Sequence, residues 1–510
     1  MKNILCICLF LLGCLAVQAQ HEYTIEGKVK GLKDGTVVTL FLSDGRVGTT
    51  VATDTVKNES FRFQRAVSES SGIDRLDISC YQSPEFPPMS LAIFGAPDAQ
   101  IKVSGTNNLI YTWKVDSPVK EQQEHNQFVE ASRDLWDAYQ GLFIQRGAMR
   151  SAPKAEREVL AAAQDSIMNI IGGQDIALMQ QMPVPVSTVW MDKLFELSMN
   201  IKFLPGFAYK QETIALYNRL SEEQKNTVRG LEITANLFPP TIVKEGDEMA
   251  DADLFDLNGN VHHLSDFKGK YILLDFWSSG CGPCIMALPE MGEIQEQYKD
   301  RLTIVSLSTD TKKRWVAASA EHKMTWVNLN DLKLTAGLYA KYGVKGIPNY
   351  VLISPEGKII KMWMGYGEGS LKLKMRRFID ASSHEMVINQ RGKVKIVDYP
   401  SVTSTNTEML EIKQVELTDS ATVIRLKAYQ IPKNWIRLSP DTRLVGEGGS
   451  SYTIKKTEGI TLGKEFYMPE SGEAEFSITF EPLPLKSKSF DFMEGTAAGD
   501  WQINGVKLVK

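Results

Sequence analysis

Apolar and polar residues alternate with a period of two over residues 21 to about 112, in YTIEGKVKGL, TVVTLFLSDG, SFRFQRAV, RLDISCY, MSLAIFG and AQIKVSG. Gly31, Asp34-Gly35 and Asp44-Gly45 supply turn signals between the runs. Half-buried strands at such short intervals predict a small antiparallel β-sandwich or barrel. From about residue 117 the period becomes helical: Phe128, Ala131, Leu135, Tyr139 and Leu142 share one stripe, and further helical runs cover about 154–171, 187–202 and 209–218. Ser221 to Gln224 reads as a capping box, and the helical methionines, Met179 and Met191 among them, read as core filling or as an adaptable binding face. Phe238-Pro239-Pro240 ends the helical pattern and marks a linker.

Beyond the linker, strands and helices alternate. DLFDLNGNVHHL predicts a hairpin closed by Asn258-Gly259, and the nearly continuous apolar run YILLDFW predicts a buried strand. A helix from about Cys281 to Tyr298, strand LTIVSLS, a helix around 311–322, strand TWVNL, a helix around 335–342, the strand pair NYVLIS and KIIKMWM, and a helix from about Ser370 to Ile379 complete a mixed sheet flanked by helices. Period-two runs return after residue 385 and suggest a second β-sandwich. The chain therefore reads as multidomain: an N-terminal β domain at 20–116, a helical region at 117–236, an α/β domain at 237–384 and a C-terminal β domain at 385–510.

The composition is that of ordinary globular material, with 43% hydrophobic and 23% charged residues in 510. A net charge of −5 supplies no electrostatic attraction to nucleic acid, and no nucleic-acid partner is expected. The first residues, MKNILCICLFLLGCLAVQAQ, have the shape of a secretory leader covering 1–19, with Val17 and Ala19 suited to signal peptidase. A second reading makes Leu11-Leu12-Gly13-Cys14 a lipobox, with lipid carried on Cys14. No later segment approaches the ~18 apolar residues of a membrane helix, so the expected location is the periplasm or cell envelope, soluble or lipid-anchored.

Removing Cys6, Cys8 and Cys14 of the leader from the six cysteines leaves Cys80, Cys281 and Cys284. Three cysteines in a large exported protein are not a disulfide framework. Cys80, in a strand, is open to two readings: an inert buried thiol, or a functional one, as an auxiliary thiol or in an intermolecular disulfide. The pair in FWSSGCGPCIMALPEM requires chemistry. Zinc normally needs four ligands, and only one CxxC exists, while His262 and His263 would point to opposite faces of a strand; no metal is expected. A structural disulfide across so small a loop would stabilise almost nothing. A redox pair accounts for the surroundings: the strand delivers the chain through Ser278-Ser279-Gly280 to Cys281, where the first N–H groups and dipole of a helix stabilise a thiolate. Cys284 lies one turn on, within disulfide reach. Pro283 suits the first turn, and Pro289 should kink or reposition the helix. Cys281 is then the attacking thiolate and Cys284 the resolving thiol.

Asp275-Phe276-Trp277, Cys281-Gly282-Pro283-Cys284 and Lys341-Tyr342-Gly343-Val344-Lys345-Gly346-Ile347-Pro348, in that order, resemble thioredoxin. The hairpin before the first buried strand and the extra βα element resemble the TlpA/ResA branch of exported thiol–disulfide oxidoreductases, over residues 240–382. The resemblance implies a thioredoxin-like fold and assigns roles. Asp275 matches the buried carboxylate that helps deprotonate the resolving cysteine, and Pro348 matches the cis-proline facing the disulfide. Trp277, Gly280, Gly282, Pro283, Ile347 and Pro348 fall on the substrate surface. The sequence departs from the pattern at Gly280, where many relatives carry Trp, at Ala287, where some carry a functional Glu, and at Asn349, where Thr is frequent.

The expected function is reduction of disulfides in envelope proteins through a Cys281/Cys284 cycle, with no cofactor beyond that disulfide and with a membrane electron donor to recharge it. The Gly-Pro dipeptide and the Ile before Pro348 resemble reducing relatives. Two alternatives stand beside it: a thiol peroxidase, and a partner-binding or dimerising envelope protein that keeps the redoxin as a vestigial scaffold.

Overall fold

The computed structural model describes residues 22–43, 48–66, 72–149, 151–380, 384–497 and 499–510. The expected leader, with Cys14, Val17 and Ala19, and the expected Asp44-Gly45 turn lie outside the described residues. The chain divides into two compact units at Pro239–Pro240.

In the first unit, Tyr23, Ile25 and Val29 alternate inward along Glu22–Lys30, as a half-buried strand requires. Two four-stranded sheets enclose the resulting core. The expected all-antiparallel pairing holds except at one place, where Glu22–Lys30 lies parallel to Gln100–Thr106. A long intervening connection is what permits a parallel neighbour. The helical stripe proposed through Phe128 and Leu142 is broken at Ser132, between the helices Lys120–Ala131 and Arg133–Ala148. The second helix therefore buries Trp136 and Gln140 rather than Leu135 and Tyr139, and Gln140 Oε1 accepts from the Tyr111 amide at 2.9 Å. The capping box at Ser221 and Gln224 forms, and Met179 and Met191 sit in the core.

The second unit holds both the α/β elements and the C-terminal strands. Its first part runs β1 (Leu254–Phe255), β2 (Val261–His262), β3 (Tyr271–Trp277), α1 (Gly282–Tyr298), β4 (Leu302–Ser308), α2 (Lys312–His322), β5 (Val327–Leu329), α3 (Leu338–Lys341), β6 (Asn349–Ile353), β7 (Ile359–Met364) and α4 (Ser370–Met375). β1 and β2 pair across Asn258-Gly259, where Gly259 takes the positive φ of 87° that the turn demands. The main sheet has the order β5-β4-β3-β6-β7, with parallel β5-β4-β3 and antiparallel β3-β6-β7. This is the thioredoxin-like arrangement the sequence predicts.

β3 is covered on both faces, which explains its unbroken apolar run. Ile272, Leu274 and Phe276 meet Leu338 and Tyr342 on one side. Leu273 points the other way, to Ala287, Met291 and Ile294 of α1 and to Leu371 and Met375 of α4. At about 1.5–3 kcal/mol for each fully buried side chain of this size, the two layers fix β3 and whatever leaves its end.

Ten C-terminal strands form a single sheet curled around Leu426, Ile478, Phe480 and Phe492, so the two layers of the expected sandwich are continuous. Ser451–Glu458 carries the bend: its start pairs with Arg443–Gly446 and its later residues with Glu473–Phe480, across a register shift between Ile454 and Lys456.

Candidate active site at the Cys281 helix terminus

Strand parity sends Leu273, Asp275 and Trp277 of β3 toward α1. β3 then ends, and β4 holds the departing loop. Trp277 O accepts from the Thr309 amide at 2.9 Å, and the buried Asp310 carboxylate accepts from the Ser279 amide at 2.6 Å. Cys281 is the N-cap of α1, and its Sγ accepts from the Cys284 amide at 3.2 Å. Gly282 and Pro283 fill the first turn, where a missing N–H costs no intrahelical bond. The helix continues through Pro289 to Tyr298, so the expected kink does not interrupt it.

Cys281 and Cys284 are joined in a disulfide, with Cα atoms 5.3 Å apart. Cys281 is half-buried and Cys284 is buried, while Gly280, Gly282 and Pro283 are exposed around them. The outer sulfur is thus the one a partner can reach. Ile347 packs on the cluster of Cys284, Trp277, Trp315 and Ala318 that supports the disulfide. The Ile347–Pro348 bond is cis, and Pro348 is buried. Among the described residues no hydrogen bond engages the Ile347 amide or carbonyl, which leaves that backbone free beside the disulfide.

Trp277 corrects one expectation. The resemblance implies a place on the substrate surface, yet Trp277 has no solvent exposure, because the parity of β3 turns it inward beside Cys284. It supports the site without lining it.

Asp275 lies below the start of α1, buried, opposite Ser306 on β4 and Tyr350 on β6. Burial pushes its carboxyl up to about 7, opposed by a hydrogen bond in which Ser306 Oγ donates to Oδ2 at 2.9 Å. Ser306 in turn accepts from Trp326 Nε1 at 2.8 Å. Indole is a donor only, so the Ser306 hydroxyl hydrogen is directed at Asp275, and when the acid is neutral its own proton belongs on Oδ1. The Tyr350 hydroxyl is buried without a hydrogen-bond partner among the described residues, and burial together with the Asp275 charge holds it neutral. A buried acid titrating near 7 can take and return a proton at neutral pH. Ser306, Trp326, Asp310 and Tyr350 were not singled out from the sequence. Ser306, one of two serines in the apolar run LTIVSLS, is the one available signal.

His262 and His263 pair separately with Asp256 and Asp253, at 3.5 and 3.0 Å. Among the described residues no group of three or more His, Cys, Asp or Glu is placed to hold a metal. Cys80 is 1% exposed, and burial pushes its thiol up to about 12. A neutral enclosed thiol is inert, which removes the intermolecular-disulfide reading. No helix among the described residues is long and apolar enough to cross a membrane.

The AhpC/TSA family model matches residues 246–362. Thioredoxin-like protein YneN of Bacillus subtilis (strain 168) is 32% identical over 127 residues, which are 24% of this chain and 73% of the relative. Thiol-disulfide oxidoreductase ResA of Geobacillus thermodenitrificans (strain NG80-2) is 34% identical over 142 residues, 27% of this chain and 79% of its own length. Among solved structures, the thioredoxin domain of a thiol-disulfide oxidoreductase from Bacteroides vulgatus is 30% identical, covering 26% of this chain and 96% of that one, with a TM-score of 0.24.

Proposed function

The chain belongs to the thioredoxin-like thiol–disulfide oxidoreductases, and on that premise we propose that it is exported to the cell envelope and reduces disulfides of proteins there through the Cys281/Cys284 pair. One observation carries the reading: a helix-capping, accessible Cys281 joined to a buried Cys284 above an acid that titrates near neutrality.

The cycle begins from the dithiol. Cys281 thiolate attacks one sulfur of a substrate disulfide, the substrate S–S bond breaks, and the other substrate sulfur leaves as a thiolate. The free Ile347 backbone is suited to pair with the substrate segment during this step. Asp275 carboxylate then takes the Cys284 proton, and Cys284 attacks Cys281 Sγ. The mixed disulfide breaks, the second substrate thiolate departs, and Cys281–Cys284 is left oxidised. Two electrons have passed to the substrate. The disulfide is the form seen here, and an external dithiol, supplied from a membrane donor, must return the two electrons for the next turn.

Trapping tests the roles directly. Cys284→Ser should accumulate a covalent Cys281 adduct with a disulfide-bonded protein substrate, visible on non-reducing gels and lost on reduction, and Cys281→Ser should give none. An adduct on Cys284 in Cys281→Ser, with none in Cys284→Ser, would overturn the assignment.

A further inference from the structure

Asp275 has to return to its carboxylate form between turnovers, yet it is buried and exchanges protons with solvent only through its neighbours. On the β4 side the chain of donors is a dead end. Trp326 Nε1 donates to Ser306 Oγ and Ser306 Oγ donates to Asp275 Oδ2, at 2.8 and 2.9 Å. An indole nitrogen accepts nothing, so a proton handed to Ser306 goes no further along that chain. On the β6 side the neighbour is Tyr350, which faces Asp275 across the β3-β6 pair. Its hydroxyl is buried and has no hydrogen-bond partner among the described residues. A phenol can both donate and accept, and leaving one buried and unpaired is costly enough to require a reason.

Beyond Tyr350 the polar groups continue outward. Tyr366 packs against the core layer that contains Tyr350, and the electrostatic neighbours of the Tyr350 hydroxyl are Asp275, Tyr366 and Glu290. The half-buried Tyr366 hydroxyl donates to Glu290. Both residues line a cleft of about 650 Å³ beside α1, shared with the charged side chains of Glu293, Glu368, Lys372 and Lys433, a lining that stays in contact with solvent. The outer end of this series is held in place. The Glu290 carboxylate accepts from the amides of Gly369 and Lys372 at 2.9 and 2.8 Å, which ties the start of α4 to α1. From the other side, Arg376 Nη1 donates to Ser471 O at 2.6 Å, and Gly472, with φ +70°, lets the same C-terminal turn close on Leu373 of α4, where a Cβ would come within 3.1 Å of Cδ2.

We propose that Tyr350 is the relay through which Asp275 exchanges its proton with solvent, by way of Tyr366 and Glu290 at the cleft. The proposal rests on the disulfide-exchange reading above and assigns the step that resets its buried acid. The Asp275 Oδ1–H bond breaks as the proton passes to the Tyr350 hydroxyl oxygen, directly or through a bridging water. The phenolic hydrogen leaves toward Tyr366 and Glu290, and a proton is released to water in the cleft. Asp275 ends as carboxylate and Tyr350 as the neutral phenol it was, with no electrons moved. Because burial keeps the phenol from ionising, the incoming and outgoing transfers occur together. Tyr350 touches neither sulfur nor substrate and acts only through Asp275.

The test reads how fast Asp275 equilibrates with solvent, through the two phases of nitrothiobenzoate release from full-length dithiol protein mixed with dithiobis(nitrobenzoate). At about pH 7 roughly half of the molecules begin with Asp275 protonated, and these must lose that proton before Cys284 can attack. With the relay intact, exchange outruns attack and the second phase is a single exponential. Tyr350→Phe removes one hydroxyl of the route and Tyr366→Phe the next, so the test survives if one of them misfolds. In each, the second phase should divide near pH 7 into a component at the rate wild type reaches at high pH and a component on the order of tenfold slower, of roughly equal amplitude. The slow component should vanish by about pH 9, where the acid starts as carboxylate. A merely structural role for either tyrosine would slow the whole phase without dividing it. A second phase that stays single in either folded variant, slowed or not, overturns the relay. A wild type that releases only one nitrothiobenzoate, or none, instead refutes the exchange reading.

Discussion

Ser306→Ala should move the proton chemistry of the resolving step in a direction the hydrogen-bond chain dictates. The Asp275 carboxyl, pushed up to about 7 by burial, has the Ser306 hydroxyl on Oδ2 to favour its ionised form. A hydrogen bond to a charged group is worth about 1.5–3 kcal/mol, and one pK unit corresponds to about 1.4 kcal/mol, so its loss should raise the carboxyl to roughly 8–9. The assay is stopped-flow release of nitrothiobenzoate from the dithiol protein mixed with dithiobis(nitrobenzoate). The first phase reports attack by Cys281, and the second reports resolution by Cys284. Because carboxylate is the base, the second-phase rate should rise with pH through a midpoint near 7 in the wild type and through a midpoint one to two units higher in Ser306→Ala. Trp326→Phe frees the Ser306 hydroxyl to turn and accept from the neutral acid, so its midpoint should move the same way by less. A midpoint that stays in place in Ser306→Ala, or moves down, refutes the reasoning.

Asp275→Asn tests the same group through stability. Its folded-state carboxyl is raised from 3.8 to about 7, so the folded protein carries a buried charge above pH 7 that the unfolded chain bears at no cost. The penalty is absent below about pH 4, grows as pH rises through that window, and amounts to roughly 4 kcal/mol at most for about three pK units. Urea unfolding should therefore show Asp275→Asn gaining stability over wild type as pH rises from 4 to 8, and no pH-dependent gain would contradict the burial argument. Gly343→Ala should lose about 1–3 kcal/mol in the same assay, because φ there is +62° and a Cβ would meet Ile242 Cγ2 at 2.7 Å. Cys80→Ser should leave both phases of nitrothiobenzoate release unchanged, since the thiol is enclosed; a changed rate would show that Cys80 reaches the redox pair.

Much of the site was legible because it is written in local pattern. The run YILLDFW, the Ser-Ser-Gly approach, a cysteine at a helix start and a proline in the first turn each have one physical use, and together they predict β3 and the Cys281 cap, whereas Asp275 follows only from the resemblance to thioredoxin. What stayed hidden depends on which strands become neighbours. Ser306 and Trp326 matter only because β4 pairs with β3 in a register that sets Ser306 against Asp275. Trp277 departs from the expectation for a related reason: the resemblance implies a place on the substrate surface, whereas strand parity buries it. The Phe128 to Leu142 stripe failed at Ser132, where tertiary packing ended one helix and started another with a different inward face. The bracing of α4 by Gly472 and Arg376 joins segments far apart in sequence, and no period or motif announces it.

The most direct test of the central claim is the equilibrium reduction potential of the Cys281–Cys284 couple, measured against glutathione or dithiothreitol in protein lacking residues 1–19 and carrying Cys80→Ser. A single amide donates to Cys281 Sγ among the described residues, so the dithiol is only modestly stabilised. The account expects a value near or below about −230 mV, on the thioredoxin side of the range, as a protein reductant requires. A value above about −150 mV would make the pair a disulfide donor and contradict it.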